Sequence, residues 1–151
     1  MKKSVDYNKL PYFETKVVKV RKDKKCEHEY APDMHAYMYN GTIKCPVCGR
    51  KLNSEWLRNR MIEDIKKQPK GNWVNGENLD KIKFPVPCSY VEDEVKHIGM
   101  LNKYVDVYRL YHIEKQSKDN FVDDCTSLKN LINSYDIHIL KGKILIFEEE
   151  E

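Results

Sequence analysis

Cys26-Glu27-His28 and, after sixteen intervening residues, Cys45-Pro46-Val47-Cys48-Gly49 decide how this chain is read. Three thiols and an imidazole in two short clusters suit Zn²⁺, which takes four soft or borderline ligands in a tetrahedron. Between the clusters runs Tyr37-Met38-Tyr39-Asn40-Gly41-Thr42-Ile43-Lys44. Asn-Gly between alternating apolar residues is a hairpin signal, because both turn positions require positive φ. The pattern predicts two ligand-bearing turns joined by that hairpin. Four protein ligands would fill the tetrahedron and leave no position for water, which makes the site structural rather than catalytic.

The same residues resemble small zinc ribbons of the type Cys-x-His…Cys-x-x-Cys-Gly, including the aromatic Tyr30 two residues after the histidine. Cys45-Pro-Val-Cys48-Gly49 is also similar to the knuckle of rubredoxin and zinc-ribbon families, in which glycine adopts the backbone conformation the turn demands. The resemblance spans residues 25–52, and the remainder of the chain carries none. Cys26, His28, Cys45 and Cys48 are the ligand set expected, with His35 able to replace His28. Cys88, His97 and Cys125 lie too far along for spacing to imply them. Buried inert thiols are the bland alternative. A thioredoxin-like redox pair is another, but it would place Cys-x-x-Cys between a strand and a helix of a βαβ unit. Pro46 inside the motif, Gly49 after it and the matching upstream cluster favour metal.

Charged residues make up 34% of the 151 positions and apolar ones 40%, a balance that excludes membrane-spanning and disordered classes. The opening Met1-Lys-Lys-Ser-Val-Asp6 lacks the apolar run of a signal peptide. Five cysteines, three of them in a metal pattern, suit a reducing compartment. The expected location is therefore intracellular, inside a cell, virus or organelle, and not secreted. Lys, Asn, Ile and Tyr usage also suits an AT-rich genome of the viral or phage kind.

The chain is expected to be α+β: a zinc-ribbon module over 1–67, a linker over 68–88, and a small helical domain with a C-terminal β-hairpin over 89–151. Thr15–Val20 reads as a strand. Asn53-Ser54 caps a helix running to about Lys67, with Leu57, Met61 and Ile65 as its buried stripe. Turn dipeptides, prolines and the anchors Trp73 and Phe84 mark the linker. Ser89-Tyr-Val-Glu92 has the form of a capping box for a long helix to about Gln116, with Val91, Val95, Ile98, Leu101, Val105 and Tyr108 on its apolar side. Gly99 within it implies close approach of another backbone. A second helix is expected from Asp123 or Asp124 to Ser134, then a hairpin pairing Asp136–Leu140 with Lys143–Phe147, and a solvated tail of four glutamates.

Residues 1–70 hold 17 Lys and Arg against 9 Asp and Glu, and residues 71–151 hold 10 against 15. The metal-bearing half is thus basic and the other acidic, which points the first half at phosphate and the second at a protein partner. Arg21, Lys24, Lys25, Lys44, Arg50, Lys51, Arg58 and Arg60 are the candidate nucleic-acid contacts, with nearby tyrosines available for stacking. Lysines outnumber arginines 22 to 5, which argues for backbone contacts over base readout. There is no phosphate loop, nucleophile elbow or His-Glu-x-x-His pair, and no deaminase or paired-histidine nuclease pattern. The function expected is a non-catalytic accessory protein that binds nucleic acid or a nucleic-acid machine, a polymerase or ribonucleoprotein. The alternative is a structural or assembly subunit of a virion or other large complex, with zinc only stabilising the fold.

Overall fold

The computed structural model describes residues 12–20, 25–38, 41–68, 81–114 and 120–149. In chain order the elements are β1 (Phe13–Val20), a 3₁₀ turn (Pro32–Tyr37), β2 (Thr42–Lys44), β3 (Lys51–Asn53) and α1 (Ser54–Lys67). Then follow β4 (Val86–Glu92), β5 (Val95–Lys103), β6 (Tyr108–His112), β7 (Phe121–Cys125), α2 (Leu128–Tyr135), β8 (His138–Ile139) and β9 (Gly142–Glu149). The fold is mixed α+β. A five-stranded sheet in the order β7-β6-β5-β4-β8 forms its centre, all neighbours antiparallel. β1 and β9 make a separate parallel pair, and β2 and β3 a short antiparallel one. No described helix is long and apolar enough to cross a membrane.

Both faces of the sheet are covered, and this explains the largest departure from expectation. On one face Val86, Cys88, Tyr90, Leu101, Leu110 and Ile139 pack with Leu128, Leu131 and Ile132 of α2 and with Tyr12. On the other, Ile98, Met100, Ile113 and Leu140 pack against Leu57, Met61 and Ile65 of α1 and Tyr30, Met38, Ile43 and Leu52 of the ligand-bearing segment. Strands buried on both sides read as near-continuous apolar runs, which helical spacing can imitate. The long helix expected from Ser89 to Gln116 is therefore the end of β4, all of β5 and β6, with Lys115 and Gln116 outside the described residues. Its supposed capping box lies in β4, and Asp93 and Glu94, at φ 52° and 65°, form the turn into β5. Two consecutive positive φ values match the right-handed twist of a tight hairpin. Gly99 does mark a close backbone approach: a Cβ there would stand 2.3 Å from the Tyr111 carbonyl oxygen on β6.

Other expectations change as well. Of the hairpin expected at Asn40-Gly41, Tyr39 and Asn40 lie outside the described residues; Pro32–Tyr37 is a 3₁₀ turn, and β2 pairs with β3, Ile43 opposite Leu52. The turn that joins them is Cys45–Arg50, the second ligand cluster itself. The C-terminal strands do not pair with each other: β8 joins β4, and β9 runs parallel to β1 from Phe13↔Gly142 to Val20↔Glu149. Glu148 and Glu149, expected in a solvated tail, are exposed but belong to β9. Phe121–Cys125 is strand, so α2 begins only at Leu128, capped by Ser127 accepting from the Asn130 amide. The helical domain is thus mostly sheet. Val86–Cys88, placed in the linker, belongs to β4, while Trp73 lies outside the described residues. The strand at Thr15–Val20 and the helix capped at Asn53 are where they were expected, with the Asn53 side chain accepting from the Trp56 amide at 2.8 Å.

His35 is 2% exposed in the 3₁₀ turn, against the Tyr30 ring, and neither ring nitrogen makes a hydrogen bond of good geometry to the described residues. Burial pulls its imidazole from 6.5 to about 4, and the Pro85 backbone offsets only part of that. The native state therefore binds fewer protons than the unfolded chain between those values. The contribution is fully present above pH 6.5 and declines as pH falls toward 4. A shift of that size corresponds to about 3 kcal/mol. Urea unfolding of wild type and His35→Phe across that range should give the wild type the steeper acid loss by about that amount. Parallel profiles would contradict it.

Candidate metal centre

Two backbone devices bring the ligand clusters together. Cys45–Arg50 closes on itself: the Cys45 amide donates to the Arg50 carbonyl at 2.9 Å, and the Gly49 amide to the Cys45 carbonyl at 2.8 Å. Gly49 takes φ 77°, as the knuckle requires. Opposite it, the extended segment at Cys26 turns sharply at His28, φ 61°, with the His28 amide pointing to Cys26 Sγ at 3.3 Å.

The result is a cluster of Cys26, His28, Cys45 and Cys48 whose ligand atoms all lie within 4.8 Å of one another. Cys26 Sγ and Cys45 Sγ are 3.8 Å apart, and Cys48 Sγ and His28 Nδ1 3.4 Å. With Zn–S of about 2.3 Å and Zn–N of about 2.0–2.1 Å, the edges of a tetrahedron are about 3.8 Å for S···S and about 3.5 Å for S···N. Two of the six edges match a tetrahedral ion, and the four residues could hold one. The set is consistent with zinc. His35, the alternative ligand, lies in the core with Tyr30.

The thiols are electrostatically unequal. Burial alone would raise Cys45, but the amides of Cys48, Glu29 and Val47 together with His28 bring it down to about 6. Burial pushes Cys26 up to about 11, and the neighbouring thiols of Cys45 and Cys48 add to it. A cation at the centre would expel the Cys26 proton, so binding and proton release are linked.

A charged cluster with no counterpart in the local sequence pattern anchors this segment from behind. Glu29, next to His28, is buried and accepts from Lys16, from Arg60 at 3.0 Å and from Lys143 at 2.9 Å. Lys143 also donates to Asp64 at 2.8 Å and lies 4.1 Å from the Tyr30 ring centroid, while the Tyr30 hydroxyl donates to Asp64 at 2.6 Å. Arg60 reaches the His28 carbonyl at 3.3 Å. Burial works against the Glu29 carboxylate, but Lys16, Lys143 and Arg60 hold it below its ordinary value. Lys143 comes from β9, far along the chain, so no short motif could announce it.

The candidate nucleic-acid contacts divide. Lys25, Lys44, Arg50 and Lys51 are exposed around the ligand turns. Arg58 is buried and donates to the Met38 carbonyl, and Arg60 belongs to the Glu29 cluster, so both serve the interior. Arg21 and Lys24 lie outside the described residues. No known family, curated protein or solved structure matches the chain.

Cys45→Ser and Cys48→Ser should each abolish stoichiometric metal uptake, read by competition with a chromogenic chelator, and melt the ligand-bearing segment, because structural metal binding is folding free energy. Lys143→Met leaves two carboxylates facing one another with one cation removed. It should cost about 3–5 kcal/mol in urea unfolding, with part recovered in Glu29→Gln/Lys143→Met. A single variant as stable as wild type would show that the cluster holds nothing together.

Proposed function

We propose that this chain is a non-catalytic zinc-ribbon accessory protein that binds single-stranded nucleic acid, free or within a processing machine, through its basic N-terminal half. The observation that carries the reading is a groove of about 670 Å³ between β1 and the ligand turns. Lys16, Lys19, Lys25 and Arg50 line it, with Val17, Val18, Val20 and Val47 between them. Of its two carboxylates, Glu29 is already neutralised by Lys16, Arg60 and Lys143, so the groove is net cationic. Beside it, exposed Lys44 and Lys51 stand directly opposite one another on β2 and β3. Like charges in that register repel, and a phosphate between them would relieve the repulsion. Zinc is the metal assigned, as a closed structural clamp that fixes the groove's wall.

A second reading, an assembly subunit, is favoured by one feature. Val17, Ile146 and Phe147 on the β1–β9 pair are each about half exposed, at 49%, 46% and 48%. Parallel strands are usually covered on both faces, and a protein partner would cover these.

Anisotropy titrations of the zinc-loaded protein with single-stranded and duplex oligonucleotides at two salt concentrations separate the readings. The first expects single-strand binding that weakens with salt. Removing Lys25, Lys44, Arg50 and Lys51 together should lower the log–log slope by about 0.7 for each phosphate no longer neutralised. Absence of binding at low salt, or salt-independent binding, leaves the assembly reading.

A further inference from the structure

Strand β9 reads Gly142-Lys143-Ile144-Leu145-Ile146-Phe147-Glu148-Glu149, with Lys141 just before it. It starts basic, ends acidic and carries an unbroken apolar run between. Among the described residues only β1 pairs with it, so its other edge meets no strand there. An edge strand displays a row of backbone donors and acceptors, which proteins usually blunt with proline, a bulge or a charge in mid-strand. β9 has no proline or charge from Ile144 to Phe147, and its register with β1 runs without a shift from Gly142 to Glu149. The far half of the pair is exposed on both faces: Val17 and Ile146, opposite one another, lie on one face and Phe147 on the other. Two strands alone are marginal in water, and parallel strands are ordinarily covered.

The order of charges says what covers this edge. A strand that runs from basic through apolar to acidic is complementary to itself laid in the opposite direction. With a two-fold axis at Leu145, Ile144 falls opposite Ile146 of the second copy, Leu145 opposite its own counterpart, and Lys141 opposite Glu149 of the second copy. Opposite charges facing each other across a strand pair stabilise it, and like charges destabilise it. Two copies laid parallel and in register would set Glu148 and Glu149 against themselves. Within its own chain Glu149 stands opposite Val20, not a cation. The receiving end is cationic. A cavity of about 410 Å³ at the start of β9 is lined by Lys16, Lys67, Lys141 and Lys143 against Glu14 and Asp64. By the alternation along β9, Glu149 lies on the same face as Lys143, which lines that cavity.

We propose that β9 is a dimerisation edge: two copies of this chain pair their β9 strands antiparallel about a two-fold axis, forming a four-stranded sheet in the order β1-β9-β9-β1. The same patch on both copies makes the contact, as a two-fold interface requires. This pairing rests on the exposed residues that favour the assembly reading and names a second copy as their cover, whatever the groove binds.

The test is analytical ultracentrifugation of the zinc-loaded full chain over a range of concentrations. Wild type sediments as a dimer of the 18.0 kDa chain, dissociating on dilution. Lys141→Glu and Glu149→Lys each set like charges against one another at both ends of the interface and weaken the dimer about tenfold. An equimolar mixture of the two variants regains wild-type strength, because each end then joins a lysine to a glutamate again. Ile146→Lys, with melting temperature and zinc content retained, is a monomer. A wild type that is monomeric at every concentration overturns the dimer. So does a dimer that neither charge reversal weakens, or whose two variants fail to rescue each other on mixing. Oligonucleotide titration of the same preparations keeps the two questions apart. A monomer that binds single strands loses this interface and keeps the nucleic-acid reading; a dimer that binds none keeps the interface and loses nucleic acid.

Discussion

Four ligand atoms from two turns nineteen residues apart, measured Cys26 to Cys45, meet within 4.8 Å, and the basic half of the molecule is shaped by that meeting. The hydrogen-bonded structure around them is slight: β2 and β3 are three residues each, and a lone two-stranded hairpin is marginal in water. The approach to His28 is extended chain with one left-handed residue. The same ligand turns form one wall of the groove beside β1.

Behind the ligand cluster, a charged network adds to the apolar packing that joins this segment to the rest of the chain. Glu29, Lys143, Asp64, Arg60 and Tyr30 come from the ligand segment, β9 and α1, and their hydrogen bonds leave no obvious orphan among them. Buried ion clusters are a poor source of net stability but are intolerant of partial removal. Gln68 adds a neutral counterpart, its amide donating to the Ile139 carbonyl and accepting from the Lys141 amide. The end of α1 is thereby tied to the chain that leads into β9. The ligand segment and the C-terminal half then share one core, in which Tyr30 and Met38 join Ile98 and Ile113.

How far the sequence disclosed this depended on whether the signal was local. Cys-x-His and Cys-Pro-x-Cys-Gly announce their chemistry within a few residues, and so does Asn53 before an apolar stripe at helical spacing. Strand β1 was legible from its β-branched run. Residues 89–116 were not, because Ile98, Met100 and Leu101 face two different cores, and the sum of two alternating patterns imitates a helical one. The β-branched and aromatic content of that stretch, with Asp93-Glu94 as a turn, was the signal to weigh against periodicity. β8 and β9 were recognisable as strands, but which strand each joins is a long-range matter. The same is true of Lys143 with Glu29.

The most direct measurement is zinc K-edge X-ray absorption on the purified native chain. A closed structural clamp predicts one zinc per molecule with three sulfur neighbours at about 2.3 Å and one nitrogen at about 2.0–2.1 Å. A folded, metal-free protein, a disulfide among Cys26, Cys45 and Cys48, or a shell with fewer sulfurs and bound water would contradict it.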